Sequence, residues 1–142
     1  MTTKKLIDTA FVYAMVALAE GVFYREFTKM MAFEGKTTLA ITHLHLFALG
    51  TLLFLVLALF SRSTKLTEHK QFKRFYGLYN VALPFMVVMF MVRGVLQVMQ
   101  TPLSHGASAA ISGISGLAHI LMAVSLVLLF LALRGAVSEK EA

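Results

Sequence analysis

The sequence predicts an all-α protein, a transmembrane up-down-up-down four-helix bundle, on three observations. First, 58% of its 142 residues are hydrophobic and only 14% are charged. A soluble domain usually carries about 25% charged residues, and so small a globule has too little interior to hide the apolar excess. Second, the apolar residues gather in four stretches, each long enough to meet the roughly 20 residues that a helix needs to cross a bilayer. Third, the Lys and Arg side chains concentrate beside and between those stretches, as membrane topology signals do. The lipid bilayer is the expected solvent for this surface.

The four spans are read at about 7–31, 38–61, 75–100 and 107–133, within one transmembrane domain covering 1–142. The connecting loops are short, which makes consecutive helices antiparallel neighbours. Lys4 and Lys5 precede the first span, whose small-residue face runs through Ala10, Tyr13, Ala17, Gly21 and Tyr24. Asp8 and Glu20 interrupt its apolar run, so no cleavable leader is expected there. Lys29 and Lys36 in the first loop are accompanied by Glu26 and Glu34.

The second span carries Thr42-His43-Leu44-His45, and a basic loop follows it, with Arg62, Lys65, Lys70, Lys73 and Arg74 against the single acid Glu68. Pro84 interrupts the third span and leaves the Asn80 carbonyl without its usual donor. The loop from Thr101 to Ala107 has no Lys or Arg. The fourth span places Ser112, Ser115, Gly116, His119 and Ala123 on one face, a row of small residues of the kind that lets membrane helices approach closely. The basic second loop and both termini are therefore expected on the cytoplasmic side of a cell (inner, cytoplasmic) membrane.

Several classes of function fall away at once. The chain has no cysteine, which removes disulfides, thiolate metal sites and cysteine nucleophiles. The sequence pI of about 9.8 reflects loop charges, and no basic run is interleaved with aromatics, so no nucleic acid is expected as a partner. There is no phosphate-binding glycine loop, nucleophile elbow or HExxH pair. The sequence points away from an enzyme.

Polar groups inside a bilayer are costly and mark interior faces or function. Here they are Glu20, Tyr24, Arg25, His43, His45, Asn80, Arg93, Gln97 and His119, which the topology brings to one layer in the outer half of the membrane. Histidines two residues apart point about 200° from each other on a helix, so His43 and His45 cannot share one role. His43 shares a face with Gly50, a glycine that leaves room for a flat macrocycle.

Imidazoles facing inward from different helices are the pattern of bis-histidine haem ligation. The expected cofactor is haem b, held between His43 or His45 on the second span and His119 on the fourth. Arg25 and Arg93 would meet the propionates, with Tyr24, Gly50 and Gly116 around the ring. The bland alternatives are interhelical hydrogen bonds for the histidines, snorkelling for Arg25, a Glu20–Arg93 ion pair, and solvated loop positions for His69 and His105. The rival functions are a proton-coupled carrier using Glu20, and an assembly partner docking another membrane protein through the fourth span; the expected partners are a membrane redox or assembly partner, or a second copy of the chain as a homo-oligomer.

End to end, the chain resembles an uncharacterised bacterial family of small four-helix integral membrane proteins. The resemblance rests on Gly21-Val22-Phe23-Tyr24-Arg25-Glu26-Phe27-Thr28-Lys29, on Thr42-His43-Leu44-His45 with Leu49-Gly50, on Val92-Arg93-Gly94-Val95-Leu96-Gln97, and on Ile111-Ser112-Gly113-Ile114-Ser115-Gly116 running into His119. The second span is also similar, locally, to the low-spin haem helix of haem–copper oxidases and nitric oxide reductases. That likeness implies His43 as a haem ligand, with His45 in the place of an asparagine. The chain has four spans rather than a dozen and lacks the histidines for copper and a second haem, so the likeness extends only to a single haem.

Overall fold

The computed structural model describes residues 1–141. Four long helices follow one another: α1 (Thr3–Met30), α2 (Leu39–Ser63), α3 (Lys70–Val98) and α4 (His105–Glu141). There is no strand among the described residues. All four helices are long and apolar enough to cross a membrane, and their lipid-facing positions stay apolar, as at Phe11, Val12, Leu59, Val81, Val127 and Phe130. The protein is a multi-pass membrane protein by this measure.

Local chemistry sets the helix ends. The Thr2 hydroxyl accepts from the Lys5 amide at 3.3 Å, satisfying one of the free N–H groups that open α1. At the far ends of α1 and α3, Ala32 and Gln100 adopt left-handed φ angles of 48° and 51°. The carbonyls exposed there are recaptured by Phe33 N–H on Thr28 and Ala32 N–H on Lys29, and by Thr101 N–H on Leu96 and Gln100 N–H on Gln97. This is the usual glycine-type helix stop, built here without glycine.

Packing follows from which residues each helix buries. Leu6, Ala10, Tyr13, Ala17 and Glu20 face α2 from α1. Gly50 lets the helices meet: a Cβ there would sit 2.5 Å from the Tyr13 ring. A knot of Tyr13, Phe54, Phe72, Phe75 and Tyr79 fills the half of the bundle nearest the basic loop. In α4 the buried positions are Ala118, Met122, Ser125, Leu129, Ala132 and Ala136, alternating steps of four and three along the seam against α3, as in a coiled coil. The row of Ser112, Gly116 and Ala123 expected to pack between helices is exposed instead. The seam lies one residue away from that row, and is itself built largely of small side chains, Ala118, Ser125, Ala132 and Ala136, with Met122 and Leu129 between them.

At the end opposite the basic loop, α2 is stapled to α3. Thr37 Oγ1 donates to the Gly94 carbonyl at 3.1 Å, Thr38 Oγ1 to the Phe90 carbonyl at 2.7 Å, and the Thr38 amide to Gln97 Oε1 at 2.8 Å. Gly94 makes the approach sterically feasible, since a Cβ there would lie 2.7 Å from the Leu39 backbone nitrogen.

Within α2, Leu46–Leu52 is wound as a π-helix. Such wide turns are rare and concentrate at functional sites. The Leu49 carbonyl inside it accepts from Tyr79 Oη at 2.8 Å, so a buried phenol on α3 holds the wide turn.

Candidate functional site

The two histidines of α2 diverge, as two residues on one helix must. His43 turns to α1. Its Nδ1 lies 3.6 Å from Glu20 Oε2, and its ring stacks on Tyr24 at 6.4 Å between centroids. The Glu20 side chain is 3% exposed, and neither of its oxygens, nor His43 Nδ1, finds a hydrogen-bond partner. Glu20 therefore lies against a histidine rather than Arg93, and the alternative Glu20–Arg93 ion pair is absent among the described residues.

His45 turns the other way, to α3 and α4. Its ring meets the Phe90 ring edge-on at 5.0 Å, and the same Phe90 ring lies 5.8 Å from His119 of α4. The two imidazoles are thus gathered around one phenyl group. Each also has its tautomer settled. His45 Nδ1 lies 2.8 Å from the Ile41 carbonyl and His119 Nδ1 lies 2.8 Å from the Ser115 carbonyl. A carbonyl only accepts, so in both rings Nδ1 carries the proton and donates. The lone pair of the neutral ring is then on Nε2, free for a ligand.

Arg93 stands one turn beyond Phe90 on α3 and reaches across to α4, donating to Ser112 Oγ at 2.7 Å. A small hollow of about 260 Å³ opens beside His45, lined by Leu44, His45, Ala48 and Leu49. On α4, Gly113 and Gly116 are exposed, and a Cβ added to either would meet nothing within 4 Å. His45 is half-buried and His119 is exposed, and the two imidazoles are linked through Phe90, with the Arg93 guanidinium one turn away on α3. A bis-imidazole site needs only those two donors, and no group of three His, Asp or Glu that could hold a bare metal ion occurs among the described residues.

The other sequence-predicted site residues lie elsewhere. Arg25 is exposed, 3.7 Å from Glu26, and Tyr24 belongs to the His43 side. Gly50 does share the face of His43, but that face packs on α1, so its missing side chain accommodates Tyr13 rather than a macrocycle. His69 is not a solvated loop residue: its side chain is 13% exposed, with Nε2 3.5 Å from Glu139 at the end of α4.

Sequence reading missed Phe90 and Tyr79, and took Ser112 for a packing residue rather than a partner of Arg93. Phe90 could have been found three residues before Arg93 on the same helical face. Nothing in the sequence announced a π-turn or its phenolic anchor.

A family model described as protein of unknown function (DUF2871) matches residues 3–136 of the chain. No curated protein and no solved structure matches it.

Proposed function

This chain belongs to the DUF2871 family, and on that premise we propose that it is a bacterial cell-membrane protein that binds one b-type haem between α2 and α4. The ligands are His45 and His119 through Nε2, and Arg93 is the cation for a propionate. The supporting observation is the pair of imidazoles around Phe90, each with Nδ1–H on a main-chain carbonyl. That second interaction orients the ring and raises the basicity of the coordinating nitrogen. Bound haem would supply one-electron chemistry, for electron transfer, haem handling or sensing. His43, engaged by Glu20, is outside the ligand set in this reading.

The absorption spectrum of detergent-purified protein from haem-replete cells tests the proposal. A Soret band is expected, with loss of the low-spin spectrum in His45→Ala and in His119→Ala and its retention in His43→Ala. Colourless protein, or a low-spin spectrum that survives His45→Ala but not His43→Ala, would defeat it. The basic end of the bundle is placed on the cytoplasmic side, because Lys4, Lys5, Arg62, Lys65, Lys73 and Arg74 gather there.

A second reading, a proton-coupled carrier, is favoured by one observation: Glu20 is buried in the membrane with a single imidazole for company. Its test is proton flux into proteoliposomes, expected to be lost in Glu20→Gln if this reading holds.

A further inference from the structure

A crevice of about 720 Å³ runs along the outside of the bundle between α1 and α3, with Leu46 of α2 at its back. Its volume is within the range of about 300–1,000 Å³ typical of ligand sites. Two hydrogen bonds cross it, Thr9 Oγ1 with Tyr76 Oη at 2.8 Å and Tyr13 Oη to Asn80 Oδ1 at 3.0 Å. Beyond these the walls are aliphatic: Val12 and Val16 on one side, Pro84, Val87 and Val88 on the other. The crevice opens towards the basic end of the molecule, where Lys5 and Asp8 line its mouth.

The charges at that mouth are not balanced. Asp8 is taken by Lys4, whose Nζ lies 2.8 Å from Oδ2. Lys5 has no carboxylate partner among the described residues, and its ammonium lies 5.0 Å from the centre of the Tyr76 ring. Lys73 is one turn before Tyr76 on the same face of α3, so a second ammonium flanks the opening. An apolar slot at membrane depth, capped by two cations at the interface, has the shape and charge of a lipid with a negative headgroup.

We propose that this crevice is a binding site for an anionic phospholipid, with one acyl chain lying between α1 and α3 and the headgroup phosphate held by Lys5 and Lys73. The site is independent of the haem reading. The crevice is on the far side of α3 from the α4 seam, and none of its lining residues is a proposed ligand. A negative headgroup gains about fivefold in retention for each lysine.

Native mass spectrometry of the full chain in mild detergent, with equimolar phosphatidylglycerol and phosphatidylcholine of identical acyl chains, tests the site. The expected result is one retained phosphatidylglycerol, in roughly 25-fold excess over phosphatidylcholine. The preference falls to about one in Lys5→Gln/Lys73→Gln, whereas Val88→Trp, which fills the slot, removes both adducts. Val12→Trp fills it from the other wall and serves as the control should Val88→Trp lose its helical circular dichroism. Equal retention of the two lipids overturns the proposal. So does retention unchanged by both tryptophans, or a lipid-free dimer in which a second copy takes the place of the chain.

Discussion

Glu20 and His43 exemplify how a buried polar pair behaves when nothing else satisfies it. A carboxylate removed from water costs several kcal/mol unless paired, and here a single imidazole at 3.6 Å stands for all of its partners. Removing one member leaves the other buried and alone, so Glu20→Leu or His43→Leu singly is expected to cost about 1–3 kcal/mol. The double variant should cost much less than the sum of the two. A double-mutant cycle from thermal denaturation in detergent measures the coupling, and strict additivity would refute the pairing. Both residues were visible in the sequence as costly groups at similar depth, but their partnership was not. Glu20 reads equally well against Arg93 until the direction of each side chain is known.

At the scale of elements, the π-turn of α2 offsets the histidine-bearing turns that precede it from the rest of the helix. An extra residue per turn rotates everything beyond it, and the wide ring leaves its carbonyls poorly paired unless another group helps. Tyr79 gives that help at Leu49. Tyr79→Phe is expected to lower stability by about 1–3 kcal/mol through an orphaned carbonyl, and to broaden the haem spectrum if His45 is a ligand. An unaltered melting temperature would show that the turn holds itself. At the helix stops, Gln100 spends energy in a left-handed conformation that glycine adopts freely. Gln100→Gly should therefore raise stability by about 0.5–1 kcal/mol, readable as a higher midpoint in the same denaturation assay. Pro102 stands two residues beyond Gln100, and a helix seldom continues to the residue before proline.

For the whole molecule, the asymmetry of charge is the strongest signal. Met1, Ser61, Thr67 and Glu139 lie at one end: the amino terminus is 3.5 Å from the Thr67 carbonyl, Thr3 bonds Ser61, and Glu139 meets His69. Both terminal segments and the basic loop therefore share a side, which an even number of spans requires. A reporter fused to the carboxyl terminus is expected to signal from the cytoplasm. Replacing Arg62, Lys65, Lys70, Lys73 and Arg74 by Gln should give a mixed or inverted signal. A reporter active only outside the cell in the parent chain would reverse the assignment. The α2–α3 staple is the counterpart at the other end, and Gly94→Leu, placed against the Leu39 backbone, is expected to open it and destabilise the bundle by several kcal/mol.

What the sequence determined by itself was the solvent, the number of helices and the alternation of their direction. Those follow from hydropathy and loop length, which sum over many residues and tolerate errors in any one. The candidate site was legible as a set of residue types at one depth: His45, His119 and Arg93 were all in view. Tertiary structure set His45 and His119 against the same Phe90 ring. The choice of His45 over His43 depends on which face of α2 receives α1, and Gly50, read as space for a cofactor, serves to admit Tyr13. Helical periodicity places side chains relative to one another on a single helix. It does not say which neighbour each face will find, because that is set by the fit between whole helix surfaces.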